Sequence, residues 1–280
     1  MSAQRIFRWV GSKHHLVPRL APILSEQLAA GGGRLVSLFY GSGALEQAAA
    51  PGTTQLAAEA NPDLRCLYER LAKDPEQVHA ALVSLDAVIG RSRRAFSIVR
   101  ALKAHELSAV GRAARFLWLS ATSFNGLWRV NRKGEHNVPP DPARLRKPWP
   151  FPTSCALAEA GRRLRRVEFV ADWRDAAAGA RPGDLVISDP PYLGGFDAYT
   201  AERFPVPEQR AVADALGDLA RRGCAIVAFN SPAARPLYCA WGRIESWHRS
   251  GRISCVGSQR QRVRELIVFA GLQGQLSEVA

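Results

Sequence analysis

The chain has 280 residues, of which 47% are hydrophobic and 22% charged, so it can bury a large core and is not a disordered protein. Its 38 Lys and Arg against 25 Asp and Glu give a net charge of +13, which favours a polyanionic partner, with solubility as the alternative role. The apolar runs are too short to cross a bilayer and no secretory signal is evident, so we expect a cytoplasmic protein without membrane contact.

The first sixty residues are predicted to form a helix and then a β-α-β unit. Apolar residues recur at helical spacing from Leu16 to Leu28, and Gly31-Gly32-Gly33 marks the end of that helix. The run "RLVSLFYGSGALEQAAA" predicts a strand, a glycine turn and a helix. The run "TQLAAEAN" predicts a second strand that ends at Glu59.

The rest of the chain changes its pattern twice. Residues from Pro62 to about Val130 have helical spacing, whereas the Asn, Gly, Pro, Arg and Trp-rich stretch from Phe124 to Pro152 has no periodicity. Further strands are predicted in "VEFVAD", "DLVIS", "RGCAIVAFN" and "RELIVFA", with a helix from about Pro207 to Ala220. Strands alternating with helices predict an α/β fold with a doubly wound, mostly parallel sheet and a mostly helical insert.

Two candidate sites follow the first two strands, where doubly wound sheets bind their ligands. Gly41 and Gly43 permit a close approach of a ligand to the backbone. Glu46 occupies the place of the third glycine of a dinucleotide fingerprint, so a cofactor without phosphate fits better. Glu59 can accept both hydroxyls of a ribose. Each feature alone could be a plain turn or a surface acid, but together they predict a nucleoside cofactor.

The third candidate site is the run Ser188-Asp189-Pro190-Pro191-Tyr192 at the end of a strand. The prolines stop the sheet ladder and fix the chain direction, so the Asp189 carboxylate and the Pro190 carbonyl become rigid acceptors. The Tyr192 ring beside them offers a stacking surface. Such a set suits a planar base with an exocyclic amino group, although a proline-made turn explains the run equally well when it stands alone.

Cysteine and histidine show no metal-binding spacing. The five cysteines contain no Cys-x-x-Cys pair, and the six histidines form no spaced pair beside a carboxylate. We therefore expect no metal ion. We also expect the histidines, His136 among them, to lie on the surface or to face DNA.

Six stretches of the chain, the three candidate sites above among them, together resemble the motifs of the Dam-type DNA adenine-N6 methyltransferases over about residues 6 to 270. The matches are Arg8-Trp9-Val10-Gly11-Ser12-Lys13, Phe39-Tyr40-Gly41-Ser42-Gly43, Glu59 with Asn61, and Asp189-Pro190-Pro191-Tyr192. The stretch "FNGLWRVNRKGEHNVP" is similar to the family's DNA-contacting hairpin, and "HRSGRISCVGSQRQRVRELIVFA" to its basic loop and last strand.

The resemblance implies a class I S-adenosylmethionine-dependent methyltransferase fold. Its catalytic core would be residues 1–62 and 152–280, and its target-recognition insert, with a β-hairpin, residues 63–151. It implies site-specific, direct transfer of the methyl group of S-adenosylmethionine to the exocyclic amine of an adenine flipped out of double-stranded DNA. A bacterial or phage-encoded enzyme, working in a restriction system or alone and as a monomer or weak dimer, is expected.

The implied site residues fall into three groups. The catalytic ones are Asp189, Pro190 and Tyr192. The cofactor-binding ones are Trp9, Lys13, Phe39, Gly41, Gly43, Glu59, Asp172 and Asp189. The DNA-binding ones are Phe124, Asn125, Leu127, Arg129, Arg132, Lys133, Arg260 and Arg262.

Two departures from the family pattern limit what the resemblance implies. The GATC-type members continue after Asn137-Val138-Pro139 with Gly-Arg-Tyr, which this chain lacks, so GATC specificity is not implied. Arg144 or Arg146 is the candidate for the displaced base-reading arginine. Ser37 and Leu38 replace the family's Glu-Pro before Phe39.

The alternatives to DNA adenine-N6 methylation are methylation of cytosine N4 or of an RNA adenine, and, in another class, an inactive DNA-binding regulator.

Overall fold

A computed structural model describes the backbone of residues 5–250 and 262–272 and the side chains of residues 5–247 and 264–272. Its helices are α1 (Val17–Gly31), α2 (Ala44–Ala49), α3 (Pro62–Lys73), α4 (Pro75–Ile89), α5 (Arg93–Ala101), α6 (Ala109–Thr122), α7 (Pro142–Leu145), α8 (Ser154–Leu164), α9 (Trp173–Gly179), α10 (Val206–Arg221) and α11 (Arg235–Tyr238). Its strands are β1 (Leu35–Ser37), β2 (Gln55–Ala58), β3 (Val167–Val170), β4 (Leu185–Ser188), β5 (Ala225–Asn230), β6 (Arg243–Ser250) and β7 (Arg262–Ala270).

The strands form one sheet in the order β3-β2-β1-β4-β5-β7-β6. The pairs among β1 to β5 are parallel, and β7 lies antiparallel to both β5 and β6. β1, β2, β4 and β5 are buried along their whole length, which is why their sequences are continuous apolar runs. The sequence did not predict β6, because "RIESWHRS" has no such run.

The order of the strands places a crevice between β1 and β4. From β1 the chain continues outward to β2 and β3, and it later returns to β4 beside β1 and continues outward to β5. The carboxyl ends of these parallel strands share one edge of the sheet. In open α/β sheets this point of reversal is where ligands bind.

The helix ends are set by local chemistry that the sequence displays. Gly32 adopts a φ of 66° after α1, and its N–H donates to the Leu28 carbonyl at 3.2 Å, which confirms the predicted glycine stop. Asn61 caps α3, because its side-chain oxygen accepts from the N–H groups of Asp63 and Leu64 at 2.9 and 3.1 Å. The first of these caps lies just before β1 and the second just after β2.

The helices between β2 and β3 share a core with the sheet. Buried residues of α3, α6 and α8, such as Tyr68, Phe116 and Leu157, belong to one apolar cluster with Ala57 of β2. Helix α8 packs on α3 and α4, although it follows the expected boundary at residue 151. The division of the chain at residues 62 and 151 stays a prediction.

The stretch after α6 is an antiparallel loop rather than a ladder of paired strands. It is closed by two isolated bridges, Ser123 with Pro140 and Val130 with His136. The expected β-hairpin is therefore not confirmed. The surface location expected for His136 is wrong: its side chain is 4% exposed and lies 4.8 Å, ring to ring, from Trp128. Burial and nearby arginines lower the pKa of His136 to about 3, so it packs as a neutral ring.

Candidate active site

A cavity of about 960 Å³ opens at the carboxyl ends of β1, β2 and β4. Its size is in the range of pockets that hold a cofactor or a drug-sized ligand. All three runs singled out in the sequence reach its wall, because each directly follows one of these strands. The lining includes Phe39 and Gly41 after β1, Glu59 after β2, and Asp189 with Tyr192 after β4.

Asp189 and Lys13 form an ion pair in this wall. Lys13 Nζ donates to Asp189 Oδ2 at 2.6 Å and to the Gly11 carbonyl at 2.8 Å, and it lies 5.0 Å from the centre of the Tyr192 ring. The side chains are 6% and 21% exposed. Burial raises the pKa of Asp189 above its ordinary value, while the charge and hydrogen bond of Lys13 act to lower it. Asp189 is therefore a stronger proton acceptor than a surface aspartate.

Glu59 is fixed by two backbone N–H groups. Its Oε2 accepts from Gly41 at 2.9 Å and its Oε1 from Asn61 at 2.8 Å, so it joins the end of β2 to the turn after β1. Burial raises the pKa of Glu59 to about 7 against the lowering effect of these bonds. A carboxylate oxygen can accept a second hydrogen bond, so Glu59 retains acceptor capacity toward the cavity.

Glu46 is a second buried acid beside Asp189. Its Oε1 accepts from the Ser37 hydroxyl at 2.8 Å, and the residue is 4% exposed. Burial, opposed by the hydrogen bond from Ser37, raises the pKa of Glu46 to about 7, and the charges of Asp189 and Lys13 act in opposite directions on it. Ser37, which replaces the family's usual glutamate, thus contacts a carboxylate supplied from α2.

The raised pKa of Glu46 predicts a pH-dependent stability. The folded form holds the proton more tightly than the unfolded chain, so the stability contribution is fully present below pH 4.5 and is lost as pH rises to about 7. Glu46→Gln removes this loss, and we expect it to stabilise the protein at pH 8 by up to about 3 kcal/mol and to have little effect at pH 4.5.

Urea unfolding of both proteins at several pH values measures this effect. Glu26→Gln is the control, because Glu26 lies exposed on α1 and its replacement should leave the curve unchanged. A Glu46→Gln variant that is less stable than the parent at pH 8 would contradict the burial argument.

Aromatic rings form the remaining walls around Gly41. Trp9 stacks on Tyr199 with ring centroids 5.5 Å apart, and a Cβ added at Gly41 would lie 3.0 Å from the Trp9 indole nitrogen. Phe39 stacks on Trp173 at 6.3 Å. Gly43 does not line the cavity. It has a φ of 59°, and a Cβ there would overlap the Tyr40 ring, so the turn itself requires glycine at this position.

Asp172 reaches the cavity from β3 as a helix cap. Its Oδ1 accepts from the Arg174 N–H at 2.8 Å, and the Arg174 guanidinium pairs with Glu208 at 2.7 Å. Asp172 is exposed, and both acids line the cavity together with Trp173. Asp172 is thus placed at the cavity, where it and Glu208 both pair with Arg174.

A loop that the sequence did not single out, residues 193–205, covers one side of the cavity. The Tyr199 hydroxyl donates to the Val10 carbonyl at 3.2 Å, and the Asn61 amide donates to the Tyr199 carbonyl at 2.9 Å. Val130 donates its N–H to the Ala198 carbonyl at 3.1 Å. The loop therefore joins the N-terminal motif, the end of β2 and the loop after α6. Three aromatic residues within it were the only available signal, and no periodicity marks them.

The loop after α6 exposes several side chains to solvent beside the cavity. Phe124 is 46% exposed, and Asn125 adopts a φ of 53°, which is unusual for a residue other than glycine. Arg129 is exposed, and its Nε and Nη2 donate to the side-chain and backbone oxygens of Asn137 at 2.7 and 3.2 Å. Val130, next to it, lines the cavity, so this loop lies at the cavity rim.

The other residues expected to contact DNA differ in their exposure and in their bonds within the protein. Leu127 is half-buried, whereas Arg132 and Lys133 are exposed at the turn of the same loop. Arg144, a candidate for reading a base, is already bonded within the protein: its Nη1 donates to the Ala121 carbonyl at 3.1 Å and its Nε pairs with Asp141. Arg146 is exposed. Arg260 and the side chain of Arg262 lie outside the described residues.

Two further features are absent from the described part of the chain. Within residues 5–250 and 262–272, no group of His, Cys, Asp and Glu side chains is placed to hold a metal ion. No helix in those ranges has the length and apolar character needed to cross a membrane.

Comparison with known proteins gives one family. A family model described as D12 class N6 adenine-specific DNA methyltransferase matches residues 9–253. The chain is 29% identical over 263 residues to a DNA N-6-adenine-methyltransferase of Escherichia phage P1, covering 91% of this chain and 34% of that protein. It is 27% identical over 274 residues to the type II methyltransferase M1.LlaDCHI of Lactococcus lactis subsp. cremoris, covering 93% of each.

A third relative is a DNA adenine methylase of Vibrio cholerae, 28% identical over 279 residues, or 96% of this chain and 97% of that protein. The chain thus spans about a third of the phage P1 protein. It spans nearly the whole length of the other two.

Proposed function

Because this chain belongs to the D12 class of N6 adenine-specific DNA methyltransferases, we propose that its cavity binds S-adenosylmethionine beside an adenine flipped out of duplex DNA. Site-specific methylation of adenine in DNA is the activity that the family and the relatives support. The observation that carries the finer proposal is the ion pair of the buried Lys13 and the half-buried Asp189, in a cavity that Tyr192 and Glu59 also line.

The residues around Gly41 fit S-adenosylmethionine. A side chain at position 41 would meet the Trp9 indole, so glycine keeps that wall open. Glu59 would accept the ribose hydroxyls, while Trp9, Phe39 and Asp172 would line the adenosyl end. When bound, S-adenosylmethionine supplies a methyl group on a positively charged sulfur. The cavity is lined by more acidic side chains than basic ones, which favours such a cation over a phosphate.

The flipped adenine would lie against Tyr192. The ring would stack on the base, and Asp189 with the Pro190 carbonyl would accept the two hydrogens of the N6 amine. Because the N6 lone pair is delocalised into the adenine ring, these bonds would favour a pyramidal nitrogen whose lone pair points out of the ring plane. The raised pKa of Asp189 suits it to take the proton that the methylated amine must lose.

DNA would be read by the loop after α6. The exposed Phe124 and the backbone of Asn125 are suited to enter the space left by a flipped base, and Leu127 would support them. Arg129 would read a base edge, because its contact with Asn137 orients the guanidinium and uses two of its five N–H donors. Arg132 and Lys133, exposed at the turn, would contact phosphates. The same role is proposed for Arg260 and Arg262.

Arg129→Ala is expected to weaken binding to the cognate site by about 1–3 kcal/mol and to change binding to random DNA little. The reason is that the Arg129 guanidinium can pair with a base edge only where that base is present, so the variant loses this contact only at the cognate site. Fluorescence anisotropy with the cognate duplex and a scrambled duplex measures both affinities. Arg132→Ala serves as the comparison, since loss of a phosphate contact should weaken both duplexes alike and reduce the salt dependence. Equal losses for Arg129→Ala on both duplexes would make it a phosphate contact.

The reaction itself is tested with labelled S-adenosylmethionine and duplex DNA. Label recovered as N6-methyladenine is the expected result, whereas label in N4-methylcytosine or only in RNA would overturn the proposal. An inactive DNA-binding regulator would give no label at all. The intact run from Asp189 to Tyr192 argues against that candidate. Sequencing the DNA of cells that express the protein, with modified bases scored, then identifies the recognition sequence.

A further inference from the structure

The backbone that carries Tyr192 has few hydrogen-bond donors of its own. Pro190 and Pro191 lack an N–H, so the segment leaves the sheet after Ser188 with two of its first three donors missing. The Tyr192 carbonyl accepts from the Gly195 N–H at 2.8 Å, which closes a turn but does not attach it to the fold. Something outside this segment must therefore fix its direction.

Two buried amide side chains provide that attachment. Gln209 of α10 donates from Nε2 to the Pro191 carbonyl at 2.5 Å. Asn230, the last residue of β5, accepts the Leu193 N–H on Oδ1 at 3.1 Å. The two amides are joined, because Asn230 Nδ2 donates to Gln209 Oε1 at 2.9 Å. The carbonyl before Tyr192 and the N–H after it are thus both bound to one pair of side chains.

The orientation of both amides is determined by their partners. Asn230 Oδ1 also accepts the Ser231 N–H at 2.8 Å, and its Nδ2 also contacts the Tyr238 hydroxyl at 3.2 Å. All four hydrogen-bonding positions of the Asn230 amide are therefore occupied. Turning the amide over would direct Nδ2 at two backbone N–H groups, so only one orientation is stable. A network with all its bonds made is rigid and specifies one position for the segment it holds.

Neither amide can touch a ligand in the cavity. Gln209 is 1% exposed and Asn230 is fully buried, and neither lines the cavity, although Pro191 and Tyr192 do. Their effect on the reaction must pass through the backbone between them and the site. This distinguishes them from Asp189 and Lys13.

We propose that Gln209 and Asn230 are positioning residues for methyl transfer, which hold the backbone of residues 191–193 so that Tyr192 and Asp189 face the target base together. The proposal rests on the function proposed above for these two residues. A displacement of about 1 Å in a reacting group can lower a rate by roughly 100-fold, so the loss of one bond in this network has a measurable effect on catalysis.

Gln209→Met tests the role, because methionine keeps the length of the side chain and removes both its bond to the Pro191 carbonyl and its acceptor for Asn230. The chain offers a matched control in Gln55. This glutamine is also 1% exposed and also donates its Nε2 to a backbone carbonyl, that of Ala50 at 2.9 Å, but it lies at the start of β2, at the far end of the sheet from the cavity. Gln55→Met thus removes the same kind of bond without touching the segment.

The two variants are compared by melting temperature, by affinity for duplex DNA and by single-turnover methylation rate. We expect unchanged DNA affinity for both variants and a lower melting temperature for Gln209→Met, which loses two hydrogen bonds where Gln55→Met loses one. We expect the rate to be about 10- to 100-fold lower for Gln209→Met than for Gln55→Met. Fluorescence of 2-aminopurine at the target position reports stacking of the flipped base, and we expect it to change for Gln209→Met alone. If Gln209→Met does not fold, Gln209→Leu replaces it and is compared with Gln55→Leu, since leucine also lacks the donor and adds no charge.

Equal rates for the two folded variants, with the same 2-aminopurine signal, would overturn the positioning role. That outcome leaves the proposed function standing, because the parent protein then still methylates DNA. A parent protein that transfers no methyl group to DNA would instead overturn the proposed function, and the positioning role with it.

Discussion

Asp189→Asn is expected to lower the single-turnover rate of methyl transfer by about 10³-fold while affinity for duplex DNA stays unchanged. Asparagine keeps the shape of the side chain and one oxygen acceptor for Lys13, which donates to Asp189 at 2.6 Å. It removes the negative charge that would accept the N6 hydrogens and take up the proton. Rapid mixing of the enzyme, labelled cofactor and a duplex with one target site measures the rate directly.

Asp184→Asn is the matched control for this prediction. Asp184 lies just before β4 and Asp189 just after it, both are buried in part or in full, and both pair with a basic side chain. Asp184 accepts the N–H groups of Arg34 and Arg181 at 3.0 and 2.9 Å, at the end of the strand away from the cavity. Its replacement should lower stability and leave the rate of transfer intact. If Asp189→Asn keeps the rate of the control, Asp189 has no part in the chemistry.

The sequence predicted those parts of the fold whose signals are local. The strands β1, β2, β4 and β5 are buried along their whole length, so each appears as a mostly apolar run, and α1 has a helical pattern with a glycine stop. The candidate site could be placed because Gly41, Glu59 and Asp189 each follow a strand directly. In a parallel sheet, residues in that position meet at one edge.

What the sequence could not show depends on contacts between distant residues. Lys13 and Asp189 are 176 positions apart, and nothing in either motif says that their side chains form an ion pair. The hydrogen bond from Ser37 to Glu46 likewise depends on the position of α2, which brings Glu46 to the end of β1. The burial of His136 depends on Trp128 and Phe96 packing around it, whereas its immediate neighbours in sequence are polar. Gln209 and Asn230 carry no motif at all, so their attachment to the Pro191 segment is visible only in three dimensions.

Lys13→Met is expected to shift the acid limb of the pH-rate profile to higher pH by about one to three units. Burial raises the pKa of Asp189, Glu265 raises it further, and the charge and hydrogen bond of Lys13 oppose both effects. Without Lys13 the pKa of Asp189 rises again, so the carboxyl group is protonated over a wider range of pH. The rate depends on the ionised form and is lost as pH falls through the pKa, so the variant should lose most activity at pH 6 and recover part of it at pH 9.

Lys13→Arg separates the effect of charge from that of shape, since arginine keeps a positive charge near Asp189 and should leave the acid limb close to that of the parent. DNA affinity is measured at each pH, because a change in binding would also alter the profile. Glu46 lies close to both residues, and its own pKa of about 7 contributes to the same limb. The pH-rate profile is therefore also measured in the Glu46→Gln background. The shift of the acid limb persists there if the loss of Lys13 alone causes it. An acid limb that does not move in either background would mean that Lys13 does not control the ionisation of Asp189, and its contact would then serve only to hold the N-terminal motif in place.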